Sequence, residues 1–183
     1  MMIEDALRTR RAVRDYTDQP LDRATIEALI GDAILAPSAM NLQPWGFAVV
    51  LGAARLHAHA DAAKRTALSH FAGNAALAAH LADPRFEVFY GAPALVAVCA
   101  RDDHQQSAED CCLAAQNLML GAHARGLGTC WIGLARPWLN DPATKAALGI
   151  PAEWRPVAPI VVGHRRSLPA PTPRAAATIV WSQ

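Results

Sequence analysis

The sequence predicts an α+β fold, on three observations. Apolar runs of strand length, at 45–51, 94–99 and 159–164, are separated by longer segments with helical periodicity. Their order is not the regular strand–helix–strand alternation of a doubly wound parallel sheet. No internal repeat or linker interrupts the 183 residues, so one domain spanning 1–183 is expected, long enough for a sizeable core without disulfides.

In chain order, residues 1–14 read as a short helix running into the basic cluster Arg8, Arg10, Arg11 and Arg14. A connection at 15–22 carries Asp18 and Pro20 and leads to Asp22, a candidate helix N-cap with Leu21 before it at the hydrophobic-staple position. Ile26, Leu29, Ile30, Ala33 and Ile34 follow at helical spacing, and the helix stops before Pro37. Residues 38–44 form a loop, and the run WGFAVVL reads as a strand. Residues 53–82 are alanine-rich and mostly helical, interrupted near Gly73 and Asn74; 84–93 is irregular and enters the strand at 94–99.

The clearest helix is 107–125, with Ser107 as N-cap and Asp110 in the first turn, where the helix dipole favours an anion. Gly126 suits the left-handed residue that ends a helix. This helix is apolar around much of its circumference, so it is expected to be buried on two sides, the second against another subunit. A strand or turn at 130–134, a short helix at 142–148 and a strand at 159–164 complete the reading, before a proline- and alanine-rich tail at 167–183.

Composition narrows the function. Charged residues are 18% against 52% hydrophobic, which excludes disorder. With 17 basic and 16 acidic side chains the chain lacks the basic excess of a nucleic-acid binder. No run approaches the roughly 20 apolar residues of a membrane span, and the N-terminus does not read as a secretory signal. The cytoplasm is the expected compartment. Cys99, Cys111, Cys112 and Cys130 contain no Cys-x-x-Cys and are expected to be buried, inert thiols. His57 and His59 pair as metal ligands only on a strand, and their surroundings read helical; no metal is expected.

The familiar nucleotide, hydrolase and zinc-protease motifs are absent. Four local features carry chemistry. Arg10, Arg11 and Arg14 suit bidentate contact with a phosphate, or form a solvated helix end. The segment 36–45 fixes a loop between Pro37 and Pro44 and offers Ser38, Asn41 and Gln43 as hydrogen-bonding groups, or is only a connector. The segment 126–133 has glycines that either end a helix and make a turn, or, at Gly133, let a planar ligand approach the backbone. Arg174 is an isolated cation near the C-terminus.

Five blocks nevertheless recur in a telling order: RRAVRDY, APSAMNLQPW, FYGAP, DCCLAAQNLML and GLGTCWIG. Together, over roughly 3–165, the chain resembles the nitroreductase family of FMN-dependent oxidoreductases. The resemblance implies a three-layer sandwich with a central, mainly antiparallel sheet flanked by helices. It implies a domain completed by homodimerisation, with FMN in the subunit interface and helix 107–125 as the central dimer helix. Arg10 and Arg11, joined by Arg174, would hold the FMN phosphate. Ala12 stands where the family usually has serine, so only its backbone amide remains to serve there. Arg14 would lie at the pyrimidine side of the isoalloxazine, near N1 and O2, where reduction leaves negative charge. Pro37, Ser38, Ala39, Asn41 and Gln43 would contact the flavin of the other subunit. Ile132 and Gly133 would lie beside the ring, the Gly133 amide donating towards N5, and Trp131 would stack near it or serve the core.

The implied activity is ping-pong: NAD(P)H, as co-substrate, gives hydride to N5, and a small nitroaromatic, quinone or enone-like acceptor then takes the electrons. A flavin-storing or flavin-sensing protein and a flavin-dependent dehalogenase are the alternatives. No protein side chain is assigned as catalytic. The segment 53–90, which in the family covers the flavin, is short here, and His70, Phe71, Phe86, Phe89 and Tyr90 are its candidates to face the acceptor.

Overall fold

The computed structural model describes residues 2–182; Met1 and Gln183, at the ends of the predicted first helix and of the tail, lie outside the described residues. The sheet has four strands in the order β1 (Trp45–Leu51), β2 (Ala94–Ala100), β4 (Arg155–His164) and β3 (Leu127–Trp131). All three pairings are antiparallel, from Trp45 opposite Ala100 to Trp131 opposite Ile160.

The sheet is the middle of three layers, and β2 explains why. Every one of its residues is buried, as expected of a strand covered on both faces. Ala94, Val96, Val98 and Ala100 face a core shared with α2 (Arg23–Ala33) and α5 (Gln105–Ala124), whereas Leu95, Ala97 and Cys99 face α3 (Ala53–His70) and α6 (Arg136–Asn140). The period-2 alternation of strand side chains thus assigns one residue set to each helical layer.

Helix ends follow local chemistry where a cap exists. The Asp22 carboxylate accepts from the Thr25 amide at 2.8 Å and starts α2. Asn74 caps Leu77 at 3.0 Å, so the interruption of the alanine-rich segment falls at 71–74, between α3 and α4 (Ala75–Ala82). Asp141 caps Thr144 and starts α7 (Pro142–Leu148), which Gly149 ends in the left-handed region at φ +68°.

Several expectations need correction. α1 is confined to Ile3–Thr9, and 10–14 runs extended. α5 starts at Gln105 with His104 as N-cap; Ser107 is not the cap and is buried, and Asp110 falls in the second turn. The helix continues because 105–107 already has helical backbone and no proline interrupts it. β3 begins at Leu127 rather than 130, since Gly126, at φ +78°, turns the chain directly into the sheet. β4 extends back to Arg155, and α6, unread in the sequence, occupies 136–140. Cys112 is exposed, unlike the other three thiols. His57 and His59 lie two residues apart on α3, on different sides of the helix. No described helix is long and apolar enough to cross a membrane.

Candidate functional site

The basic segment leaves α1 at Thr9 and is drawn along the edge of β3. Val13 N donates to Thr129 O at 2.9 Å, Ala12 forms a parallel bridge with Thr129, and Tyr16 bridges Arg165. This edge contact holds Arg10 and Arg11 half-buried at the protein surface. Arg11 Nη1 donates to the carbonyls of Arg8 and Arg10 at 2.7 and 2.8 Å, while its buried Nε has no partner. Burial lowers the Arg10 pKa, and the charges of Arg11 and Arg174 lower it further. Arg174, on the extended tail, therefore lies close enough for its charge to be felt at Arg10; its Nη1 donates to Thr172 Oγ1 at 3.1 Å. Among the described residues none of Arg10, Arg11, Arg14 and Arg174 forms an ion pair. Like charges gathered without a carboxylate suit a bound anion, and a guanidinium suits a phosphate ester best.

His123, not singled out in the sequence, supports this cluster from below. It is 3% exposed on α5, with Nε2 at 2.8 Å from Thr9 Oγ1 and Nδ1 at 3.4 Å from Arg165 Nη1. Thr9 donates its own hydroxyl proton to Asp5 O at 2.6 Å, so its oxygen accepts from Nε2–H. That leaves Nδ1 to accept from Arg165, the arrangement of a neutral imidazole. Burial first, then the charges of Arg165, Arg10 and Arg11, hold its pKa below the ordinary histidine value. A single histidine 114 residues from its partner gives no sequence signal.

Arg14 is exposed, its guanidinium 5.9 Å from the centroid of the Tyr90 ring. Tyr90 has φ +56°, a costly conformation for a bulky residue. Glu87 maintains it: its carboxylate accepts from the amides of Phe89 and Gly91, and its carbonyl accepts from Tyr90 N at 3.2 Å. Tyr90 thus stands beside Arg14. Phe89 is fully buried against Trp138, with ring centroids 5.8 Å apart, and cannot face an acceptor. Phe86 packs between His80 and Tyr90.

The loop after α2 is built on left-handed residues. Met40, Asn41 and Gln43 have φ of 50°, 55° and 49°. Ser38 Oγ accepts from Gln43 N at 2.9 Å, and Gln43 Nε2 donates to Asn41 Oδ1 at 3.2 Å. The buried Asp110 carboxylate accepts from Ala39 N at 3.2 Å and so ties the loop to α5. Pro37, Asn41 and Gln43 are exposed, and Ser38 and Ala39 partly so.

Ile132 is buried and donates its amide to Pro159 O at 2.7 Å, ending β3. Gly133 then opens a 3₁₀ turn, whose first amide has no partner inside the turn. Gly133 is exposed, and a Cβ added there meets nothing within 4 Å. Nothing in this chain requires glycine at this position. Trp131 is partly buried against the α2–α5 core.

The structure therefore brings Arg10, Arg11 and Arg174 together, with Ala12 and Arg14 on the same segment, and sets Ile132 and Gly133 at the end of the strand that segment borders. Pro37, Ser38, Ala39, Asn41 and Gln43 form a separate group: among the described residues no hydrogen bond or ion pair joins them to the arginines.

Comparison with known proteins places this architecture. A family model described as Nitroreductase family matches residues 7–164. A protein of Archaeoglobus fulgidus, named as a candidate NADH dehydrogenase/NAD(P)H nitroreductase, is 31% identical over 144 residues, covering 78% of this chain and 74% of its own. The 5,6-dimethylbenzimidazole synthase of Rhodospirillum rubrum is 33% identical over 177 residues, covering 86% and 79%. Among solved structures, a nitroreductase with bound FMN from Bacteroides fragilis superposes with a TM-score of 0.86 over 100% of both chains, at 23% identity. The match over 7–164, on a sheet and helices that superpose throughout, places the chain in the nitroreductase family.

Proposed function

We propose that this protein is an FMN-dependent oxidoreductase that takes electrons from NAD(P)H and gives them to a small organic acceptor. The observation that carries the reading is the pairing of an uncompensated arginine cluster with an open glycine edge at Gly133. The name of the Archaeoglobus fulgidus relative and the FMN of the Bacteroides fragilis protein support it, whereas the Rhodospirillum rubrum relative is named for a synthase activity.

The residues present fit the cofactor. Arg10, Arg11 and Arg174 would hold its phosphate, and the unpartnered Arg11 Nε is a donor in want of an acceptor. Gly133 offers an unobstructed backbone edge to a planar ring, with Ile132 beside it. Arg14 supplies a cation that stabilises negative charge on the ring, and Tyr90 orients Arg14. FMN, when bound, supplies reversible two-electron redox chemistry between NAD(P)H and the acceptor. The protein contributes binding, orientation and charge, and solvent supplies the protons.

The second group of residues, 37–43, serves a homodimer in this reading. It would reach the cofactor of the partner subunit, which is why one chain does not assemble it with the arginines. Exposed apolar side chains support such an interface: Leu35 is 78%, Met40 91% and Leu113 46% exposed. Leu35 also lines an open groove of about 370 Å³ between α1, α2 and α5, together with Ile3 and Leu120.

Purified protein should be yellow, and its visible flavin absorbance should bleach anaerobically with NADH or NADPH. A colourless protein that takes up no added FMN overturns the reading. A yellow protein that neither nucleotide bleaches is a flavin store instead.

A further inference from the structure

We propose that the cavity enclosed by the end of α3, the start of α6 and the start of β4 binds an organic anion through Arg136 and Arg155. The cavity holds about 380 Å³, in the range of small-molecule sites. Its polar lining is Arg136, Arg155, Asn140 and His70, two of them guanidinium groups, with no carboxylate among the lining residues. Asp102 lies outside the lining, where a hydrogen bond with Ser107 first, and the charge of Arg155 in lesser part, lower its pKa. This is a different basic cluster from the one at Arg10 and Arg11.

Arg155 is anchored and incompletely satisfied. Its Nη2 donates to His104 O at 2.8 Å, which fixes the guanidinium, while its buried Nε has no partner. A guanidinium remains charged at all relevant pH, so the fold cannot relieve this burial by deprotonation. Arg155 Nη1 forms no hydrogen bond among the described residues and is the donor that an anionic oxygen in the cavity meets. The wall beside it is rigid: Asn140 Nδ2 donates to Arg136 O at 2.8 Å and to Pro156 O at 2.9 Å, tying α6 to β4. Pro156 and Val157 add apolar surface. Two guanidinium groups over such a wall select a carboxylate or phosphate carried on an apolar or aromatic body.

Position gives the site a purpose. α6 follows directly on the 3₁₀ turn that begins at Gly133, so Arg136 stands one short turn from the edge assigned to the flavin. The bound anion is then part of a reactant, either a carboxylated acceptor or the phosphate of the pyridine nucleotide. That identity rests on the oxidoreductase reading; the anion site itself does not.

The test is isothermal titration of the purified protein with 4-nitrobenzoate, with neutral 4-nitrobenzyl alcohol and with NADP⁺, which carries the phosphates but cannot reduce the flavin, in wild type, Arg136→Gln and Arg155→Gln. If the carboxylated acceptor is the ligand, wild type binds 4-nitrobenzoate about tenfold tighter than the alcohol, and both variants lose that preference. If the nucleotide phosphate is the ligand, NADP⁺ affinity falls about tenfold in the variants and the nitro compounds bind alike. If no affinity responds to either substitution, the proposal is overturned. Arg136 is exposed, so Arg136→Gln decides the matter should Arg155→Gln fail to fold. A colourless protein refutes the flavin assignment and leaves these titrations readable, whereas flat titrations on a yellow protein refute only the anion site.

Discussion

Gly128 and Val13 touch backbone to side chain: a Cβ on Gly128 comes within 2.7 Å of Val13 Cγ1. That approach lets Val13 N reach Thr129 O and sets the arginines along β3. Gly128→Ala forces one of two buried segments to move, at about 1–3 kcal/mol. The melting temperature should fall, and the FMN dissociation constant should rise because Arg10 and Arg11 shift with the segment. Unchanged values for both would show that the edge contact does not position the cluster.

Arg10 and Arg14 should separate binding from chemistry. Arg10→Ala removes charge-assisted hydrogen bonds of about 1.5–3 kcal/mol, so FMN affinity should drop roughly ten- to a hundredfold. Arg14→Ala should slow anaerobic flavin reduction by NAD(P)H more than it weakens FMN binding. Fluorescence titration of FMN and stopped-flow absorbance check the pair, and the opposite ordering would reverse the two roles.

His123 links stability to pH. The fold depresses its pKa below the ordinary 6.5, chiefly through burial, with Arg165, Arg10 and Arg11 adding repulsion. Its contribution to stability is therefore present above 6.5 and lost as pH falls through the depressed folded value. Melting temperatures taken from about pH 8 to about pH 5 should decline on the acid side, and His123→Gln should flatten that limb. An identical acid limb in the variant would place the titration elsewhere.

Leu113 tests the dimer. It lies on α5 opposite the buried Cys111, Ala114 and Ala115 and is 46% exposed. Leu113→Glu should shift sedimentation towards the monomer and release FMN. A dimer that keeps its FMN despite this charge would move the interface off this face of α5.

Much of the fold was legible because its signals are local. WGFAVVL gave β1 with both of its ends, Asp22 and Asn74 capped the helices they were expected to cap or interrupt, and the apolar run at 94–99 became the buried β2. Helix starts without a capping side chain were misread: α5 begins at Gln105, and Ser107 and Asp110, polar residues suited to a first turn, are instead buried. Asp110 was drawn inward by the Ala39 amide, 71 residues away. Phe89 and Tyr90 divided for a similar reason: the turn at Glu87 sends one ring into the core and the other towards Arg14.

The layers and the phosphorylated flavin came with the family resemblance; the residues by themselves determined the order of elements and the segments that carry the arginines and Gly133. Those follow from periodicity, caps and motif spacing, each set within a few residues. Only the tertiary structure decided that His123 sits beneath the arginine cluster against Thr9, and that Arg136 and Arg155 share a second cavity. Those relations join residues far apart in the chain, and their energies arise from burial and from charges at short range, which exist only once the layers have packed.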